Sequence, residues 1–182
     1  MNSRTLIQEL YKIFANDEIL LRLLHYPAKN QRDNPLDKNK PDILTLPPVE
    51  RFKIIDEVLV SRDKQLELDL SDNFSRINFY LGNKFPKRVY SSGARQLINN
   101  PEVAEQQVII DINTNMEIDK VDWRLNWIRD RVQYLLHSKN VKQLIKLKPE
   151  DGYSINQTAK GFVGYRLIYY TAVTESSGCG QW

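Results

Sequence analysis

The chain has 182 residues, of which 41% are hydrophobic, 27% charged and 10% aromatic, the composition of a globular protein with one well-buried core. Its 26 Lys and Arg against 23 Asp and Glu leave a formal charge of +3, far short of the concentrated positive charge that drives nucleic-acid binding. No run approaches the roughly 20 apolar residues that cross a bilayer, the N-terminus is too polar for a signal peptide, and the single cysteine, Cys179, fits a reducing compartment. We therefore expect a cytosolic protein in the cell that makes it.

Two short helices are predicted at the N-terminus. Apolar residues recur at helical spacing over residues 6–14 and again over residues 19–24. Asn16 and Asp17 lie between the two runs and are good N-caps, so they mark a break. Residues 27–48 then contain five prolines and cannot hold regular structure for long. This stretch is either an arm that orders against a partner or a mobile surface loop.

A helix, a hairpin and a linker are predicted next. Pro48 stands at a natural first helical position, and the helix it begins ends near Arg62. Alternating apolar and polar residues over 66–70 and 77–81 predict two strands that pair as a hairpin. Residues 82–101 are typical of a linker, with a short strand allowed at Val89 and Tyr90. The linker also carries a basic cluster, which is either a solvated edge or a binding patch. The cluster consists of Lys84, Lys87 and Arg88.

The second half of the chain predicts the centre of the sheet. Residues 107–113 form the strongest strand, with Val108, Ile110 and Ile112 on one face, and belong in the middle of a sheet. One helix follows over residues 118–137. A strand at 141–148, a turn at 149–152 and a final strand at 162–173 complete the order.

The expected fold class is α+β. An antiparallel or mixed β-sheet carries helices packed on it, with one long helix between the last strands and an inserted helix plus hairpin. We expect a single domain over residues 1–173, with an insertion at about 27–85 and a flexible tail at 174–182.

The predicted helix over residues 118–137 has two apolar faces. One stripe recurs every three or four residues and is typical of a helix buried against a sheet. Trp123, Trp127 and Tyr134 fall on nearly the opposite side, at about 100° per residue. Clustered aromatics left in water mark interaction surfaces, so this second stripe is covered either by another chain or by the helix at 49–62. The interface candidates are Trp123, Trp127, Tyr134, Tyr165, Tyr169, Arg124 and Arg131.

No motif for catalysis or cofactor binding is present in the sequence. The seven glycines form no phosphate-binding loop, and His25 and His137 lie in no zinc or nucleophile motif. Oxygen-bearing residues between Asp111 and Asp122 have calcium-loop spacing, but Met116 stands where that loop needs glycine. A strand that runs into a helix N-cap explains the spacing equally well. We expect no enzyme, no cofactor and no metal, with a weak calcium site left open.

The order of elements resembles a known group of phage proteins. An N-terminal helix precedes the strand VIIDI, the helix DKVDWRLNWIRDRVQYLL and the final strand GFVGYRLIYYTAV. This order is similar to that of the tail-terminator and head-to-tail joining (neck) proteins of long-tailed bacteriophages. The resemblance covers mainly residues 86–173 and the first helix, and this chain carries extra material between Pro27 and Phe85.

The resemblance implies a structural virion protein without catalytic residues. Such a protein forms a homo-oligomeric ring, commonly a hexamer, at the head-tail junction or tail end. Its partners would be further copies of itself, the phage tail tube and neck or connector proteins, with no membrane partner, and DNA would only pass through the ring lumen. It would be found in the virion tail or neck and, during assembly, in the host cytoplasm.

An intracellular nucleic-acid-binding module is the alternative. It would use residues 84–95 and the arm at residues 29–40. Aromatic and basic residues do interleave at Arg124, Arg131 and Arg166, as in single-strand binders, although core or interface packing predicts the same periodicity. Steep salt dependence of DNA binding would mark this alternative.

Overall fold

The computed structural model describes residues 3–61, 74–90, 97–137, 147–156, 158 and 160–174. Helices pack on a mixed five-stranded sheet, so the predicted α+β class is confirmed. Within these ranges no helix has the length and apolarity needed to span a bilayer. The elements are, in chain order, α1 (Ser3–Ala15), α2 (Glu18–His25), a 3-10 turn (Ile43–Thr45), α3 (Pro48–Val58), β1 (Leu59–Val60), β2 (Ser75–Tyr90), β3 (Leu97–Asn115), α4 (Met116–Asp122), α5 (Arg124–His137), β4 (Lys148–Ile155) and β5 (Phe162–Thr174).

Strand β3 lies at the centre of the sheet, whose order is β1-β2-β3-β5-β4. The short β1 runs parallel to β2, and all other neighbours are antiparallel. Val108, Ile110 and Ile112 of β3 are fully buried on one face. The predicted central strand is therefore confirmed.

Helices cover that same face of the sheet. The ring of Phe14 in α1 meets Phe79 of β2 edge to face, with centroids 5.5 Å apart. Helix α5 contributes Ile128, Val132 and Leu136, which are all fully buried. Burial of these side chains gives the sheet and the helices one shared hydrophobic core.

The break between α1 and α2 is confirmed at Asp17. Its Oδ1 accepts a hydrogen bond from the backbone N–H of Leu20 at 2.8 Å, which caps α2. The same carboxylate also accepts from Arg131 of α5, at 2.9 and 2.5 Å. One residue therefore starts a helix and ties it to the helix beside it.

The proline-rich stretch 27–48 packs on α2 of its own chain. Buried Arg22 donates to the carbonyls of Pro35 and Asp37 and, at 2.8 Å, to the Asp42 carboxylate. The carboxylate of Glu18 accepts from two backbone N–H groups of the 3-10 turn, each at 2.8 Å. These contacts pack the stretch against its own chain. The sequence suggested instead an arm that orders against a partner or a mobile surface loop.

Helix α3 is shorter than the sequence predicts. It ends at Val58 and not near Arg62, because Leu59 and Val60 leave the helix and pair with β2 as β1. The strand predicted over 77–81 is confirmed as part of β2. Its predicted hairpin partner at 66–70 lies outside the described residues.

Residues 82–101 are not a linker, and the short strand that the sequence allows at Val89 and Tyr90 is the end of β2. Strand β2 continues to Tyr90 and β3 begins at Leu97, so most of this stretch is a long antiparallel pair. Register shifts between Leu81 and Lys84 and between Pro86 and Lys87 accommodate residues that the ladder cannot pair. Proline and glycine here therefore mark bulges within strands and do not end them.

The turn predicted at residues 149–152 is also wrong, because β4 spans Lys148–Ile155. A register shift between Pro149 and Asp151 absorbs the proline. Gly152 allows close packing, since a Cβ there would lie 2.9 Å from the Tyr165 hydroxyl. Residues 141–146, predicted as a strand, lie outside the described residues, and the final strand is confirmed as β5.

Candidate interface on helices α4 and α5

The single helix predicted over residues 118–137 is interrupted at Trp123. Trp123 has φ 58° and ψ 38°, the left-handed conformation, which costs about 1–2 kcal/mol for a residue other than glycine. The first segment, α4, is capped by the side chain of Asn115, which accepts from the N–H of Glu117 at 2.8 Å. The second is capped by Asp119, which accepts from the N–H of Leu125 at 2.8 Å. Two capped helices therefore replace one.

Buried Arg124 fixes the junction between the two helices. Its guanidinium donates to Oδ2 of Asp122 through Nε at 3.0 Å and Nη2 at 2.6 Å. Its Nη1 donates to the carbonyls of Leu23 and Tyr26, both at 2.6 Å. A cation is favoured at these carbonyls because they lie at the C-terminal end of α2. Arg124 is 0% exposed, so this predicted interface residue does not lie on the surface.

Three large aromatic side chains lie exposed on the outer side of this junction. Trp123 is 70% exposed, Trp127 41% and Tyr134 63%. The opposite side of α5 carries the buried core residues, so the chain does have the two apolar faces that the sequence predicts. Because all three are exposed, helix α3 does not bury them. We call Trp123, Trp127 and Tyr134 the aromatic patch.

Every cation on α4 and α5 has a carboxylate partner. Such pairing leaves the surroundings of the aromatic patch close to electrically neutral, and paired side chains offer less to phosphate than free ones. The pairs are Lys120–Glu117 at 2.7 Å, Arg124–Asp122 at 2.6 Å, Arg129–Asp130 at 3.1 Å and Arg131–Asp17 at 2.5 Å.

Arg131 links the aromatic patch to the N-terminal helices. Its guanidinium carbon lies 4.9 Å from the ring centroid of Tyr134, a cation-π distance. The hydrogen bond from Arg131 to Asp17 raises the pKa of the guanidinium. Arg131 therefore stays charged and orients the Tyr134 ring.

The two predicted tyrosines of β5 do not join the aromatic patch. Tyr169 is 1% exposed in the core, its ring stands 6.0 Å from that of His137, and burial raises the pKa of Tyr169 to about 12. Tyr165 is partly buried beneath Arg129, whose guanidinium carbon lies 5.3 Å from the ring centroid. Of the seven predicted interface residues, four therefore lie together at the surface: the three residues of the aromatic patch and Arg131.

A buried polar network on the other face of the sheet was missed by the sequence analysis. Asp111 is fully buried and accepts from Arg166 at 2.6 and 2.8 Å and from the Tyr80 hydroxyl at 3.0 Å. Asp111 raises the pKa of Arg166 through these hydrogen bonds. The sequence did contain a signal for this network, since each of two strong predicted strands carries one charged residue, Asp111 in one and Arg166 in the other. The two charges are opposite, and the residues are cross-strand partners in the sheet.

The boundary between β3 and α4 explains the oxygen-rich spacing after Asp111. Residues 111–115 belong to β3 and α4 begins at Met116, so the spacing is that of a strand running into a helix cap. In the part of the chain that the structure describes, no group of three or more His, Cys, Asp or Glu is arranged to hold a metal ion.

A comparison with models of known protein families shows which family the chain belongs to. The model of the YomW family matches residues 17–171. The chain belongs to the YomW family. YomW is a phage-derived family of the Bacillus SPbeta prophage type, which indicates a phage-associated protein. The YomW match runs from the cap of α2 into β5 and includes the aromatic patch and the Asp111 network. No curated protein matches the chain.

Proposed function

We propose that this protein is a structural component of a phage particle that assembles with copies of itself into a ring. The ring would stand at the head-tail junction or tail end, in the position of a tail terminator or a neck protein. The observation that carries the proposal is the aromatic patch, three large side chains exposed on one side of α4 and α5. The phage-derived family supports the setting.

Aromatic residues in such a cluster are typical of the centre of protein interfaces. Trp and Tyr are enriched among the residues whose truncation costs 2 kcal/mol or more of binding energy. They bury a large area with few rotatable bonds, so little conformational entropy is lost when a partner covers them. A second protein surface is therefore the occupant that suits the aromatic patch.

The backbone at Trp123 supports the same proposal. A tryptophan in left-handed conformation is strained, and its side chain is mostly exposed, so burial within the chain offsets little of that cost. The conformation places a large aromatic ring at the outer edge of the α4–α5 junction. Strain of this kind is commonly retained where it serves binding.

The neutral surroundings of the patch favour protein over nucleic acid. The ion pairs on α4 and α5 satisfy the arginines that would otherwise contact phosphates. In the proposed ring, DNA passes through the lumen, and the tail tube and neck proteins are further partners. We propose no catalytic role.

Mass measurement of the purified protein tests this function. We expect the wild type to form particles of several times 21.4 kDa and the Trp123→Ala, Trp127→Ala double variant to stay monomeric. Phe52→Ala is the matched control, because Phe52 is 55% exposed and lies on α3, a different helix from those that carry the patch. Light scattering behind size-exclusion chromatography gives the masses, and circular dichroism checks the fold.

Three results would count against the proposal. A wild type that is monomeric at all concentrations would rule out self-assembly. A double variant that assembles like the wild type would rule out the aromatic patch as the surface through which copies meet. A double variant that unfolds would show that the tryptophans belong to the core. Tight, steeply salt-dependent DNA binding by a wild type that stays monomeric would favour the nucleic-acid alternative.

A further inference from the structure

An open cavity lies between the proline-rich stretch 27–48 and helix α4. Its volume is about 590 Å³, which is ample for a side chain of another protein. Among the described residues, the lining consists of Asn30, Gln31, Arg32, Lys120 and Val121. This lining contains no carboxylate, and four of its five side chains carry N–H donors. We call it the α4 cavity.

One wall of the α4 cavity is held by hydrogen bonds of its own loop. The N–H of Asp33 donates to the carbonyl of Asn30 at 3.0 Å. The Asp33 carboxylate accepts from the N–H of Lys29 at 3.0 Å and from Nζ of Lys40 at 2.6 Å. Oδ1 of Asn30 accepts from the N–H of Arg32 at 2.9 Å, so the NH2 group of Asn30 remains as a donor. Because this wall is already ordered, a ligand pays little entropy to bind there.

The other wall belongs to α4 and is tied to the first through Arg124. The Arg124 guanidinium donates to Asp122 at the end of α4 and to the carbonyl of Tyr26, each at 2.6 Å. Tyr26 directly precedes the proline-rich stretch. Because Arg124 is fully buried, the two walls are joined by a group in the interior.

Arg32 supplies the main positive charge of the α4 cavity. Its side chain is exposed, and its guanidinium has no ion-pair or hydrogen-bond partner among the residues that the structure describes. Lys120 pairs with Glu117 at 2.7 Å, but these side chains are 62% and 78% exposed, and such pairs contribute about 0–1 kcal/mol. An ammonium has three donors, so Lys120 has donors left for a ligand.

The charges around the α4 cavity favour a single carboxylate over a nucleic-acid backbone. The guanidinium fork matches a carboxylate with two parallel hydrogen bonds. Asp33 follows Arg32 in the chain, and Glu117 lies one turn before Lys120. A chain of phosphates would bring several negative charges against these two carboxylates, whereas one carboxylate group enters between the two cations.

The α4 cavity is continuous with the aromatic patch. Lys120 and Trp123 lie three residues apart at the end of α4, a spacing that makes residues neighbours on a helix surface. A protein that covers Trp123 therefore also reaches the mouth of the cavity. An aromatic centre with polar and charged groups at its rim is the usual arrangement of a protein interface.

We propose that the α4 cavity binds an aspartate or glutamate side chain of the second copy that covers the aromatic patch. This inference rests on the proposed self-assembly and gives that contact a site for charge recognition. Arg32 donates to the two carboxylate oxygens, and Lys120 and the amides of Asn30 and Gln31 are further donors. The described part of the chain exposes carboxylates of this kind, for example Glu50 on α3.

Charge reversal in the cavity tests the inference by its effect on assembly. The cavity variant carries Arg32→Glu with Lys120→Glu and repels a carboxylate, so we expect it to self-assemble at least about tenfold more weakly than the wild type. The lysine control carries Lys38→Glu with Lys53→Glu. It changes the net charge equally, at two exposed lysines that do not line the cavity, and should assemble like the wild type. Light scattering over a concentration series gives the assembly constants, and circular dichroism checks the fold.

Nuclear magnetic resonance of the monomeric Trp123→Ala, Trp127→Ala variant gives a readout that does not depend on assembly. Sodium glutarate is the carboxylate probe, sodium phosphate is the competing anion, and sodium chloride at equal ionic strength is the blank. We expect glutarate to shift the side-chain N–H signals of Asn30, Gln31 and Arg32 in a saturable way. The additional change Arg32→Gln should abolish these shifts.

The outcomes separate this inference from the proposed function. A wild type that never assembles overturns the proposed function, and with it the second copy as the occupant of the cavity. A wild type that assembles while the cavity variant assembles as well as the lysine control overturns the inference and leaves assembly through the aromatic patch intact. The inference is also overturned if glutarate causes no shifts, or if phosphate saturates the site at a lower concentration than glutarate.

Discussion

Arg124 and Asp122 form a buried ion pair across the helix break at Trp123, with Nη2 and Oδ2 2.6 Å apart. The same guanidinium binds two carbonyls at the end of α2. Trp123, which is exposed, lies in the chain between Asp122 and Arg124, and the Arg124 side chain of this pair is fully buried. Presentation of Trp123 at the surface depends on a group in the interior.

Removal of Arg124 should therefore be costly. Arg124→Ala leaves the Asp122 carboxylate and two carbonyls without their donor, and breaking a buried pair in this way costs about 3–5 kcal/mol of unfolding free energy. Lys120→Ala is the control, because the Lys120–Glu117 pair on α4 is exposed at both side chains and such pairs contribute about 0–1 kcal/mol. Urea unfolding followed by circular dichroism measures both, and equal losses would contradict the role given to Arg124.

Glycine at position 123 should relieve backbone strain. Trp123→Ala and Trp123→Gly remove the same exposed ring, but only glycine adopts the left-handed conformation without cost. We expect the glycine variant to be more stable than the alanine variant by about 1 kcal/mol. An alanine variant as stable as the glycine variant would show that the backbone at 123 is not strained.

The two tyrosines that face opposite sides of the sheet should respond differently to loss of their hydroxyls. The Tyr80 hydroxyl donates to Asp111 at 3.0 Å and accepts from Arg166 at 2.9 Å, so Tyr80→Phe should lower the unfolding free energy by about 1–2 kcal/mol. The buried Tyr169 hydroxyl has no hydrogen-bond partner among the residues that the structure describes, so Tyr169→Phe should leave stability unchanged or raise it. Thermal unfolding of the two variants measures both effects. A larger loss of stability in Tyr169→Phe than in Tyr80→Phe would be inconsistent with this geometry.

Stability should fall as the pH falls through the ordinary pKa of histidine. Burial lowers the pKa of His25 from 6.5, although Glu57 and Glu50 act in the opposite direction. The unfolded chain then binds a proton that the folded protein excludes, so this contribution is complete above the unfolded pKa and is lost below it. His25→Gln should flatten the change in unfolding free energy between about pH 7.5 and about pH 5.5. An unchanged slope in the variant would assign the effect to other groups.

Much of the fold follows from local patterns in the sequence. The N-cap chemistry of Asp17 locates the break between the first two helices, and alternation in residues 107–113 locates the central strand. The two apolar faces of residues 118–137 also correspond to surfaces that the structure describes, one buried and one exposed. Each of these features could be predicted because the residue pattern that indicates it lies within one short segment of the sequence.

The features that the sequence did not predict depend on contacts between distant residues. Trp123 is neither glycine nor asparagine, so nothing local indicates a left-handed residue there. The stretch 27–48 is rich in prolines, but its order comes from Arg22 and Glu18, which belong to another element. Strands that continue past Pro86 and Pro149 are held by β3 and β5. Tertiary pairing overrides local propensity at each of these positions.

Imaging of the purified protein by negative-stain electron microscopy tests the central claim most directly. The proposed function predicts closed rings of uniform diameter at high protein concentration, with rings absent from the Trp123→Ala, Trp127→Ala variant and present in the Phe52→Ala control. Particles of monomer size alone, over the whole concentration range of the wild type, would contradict it.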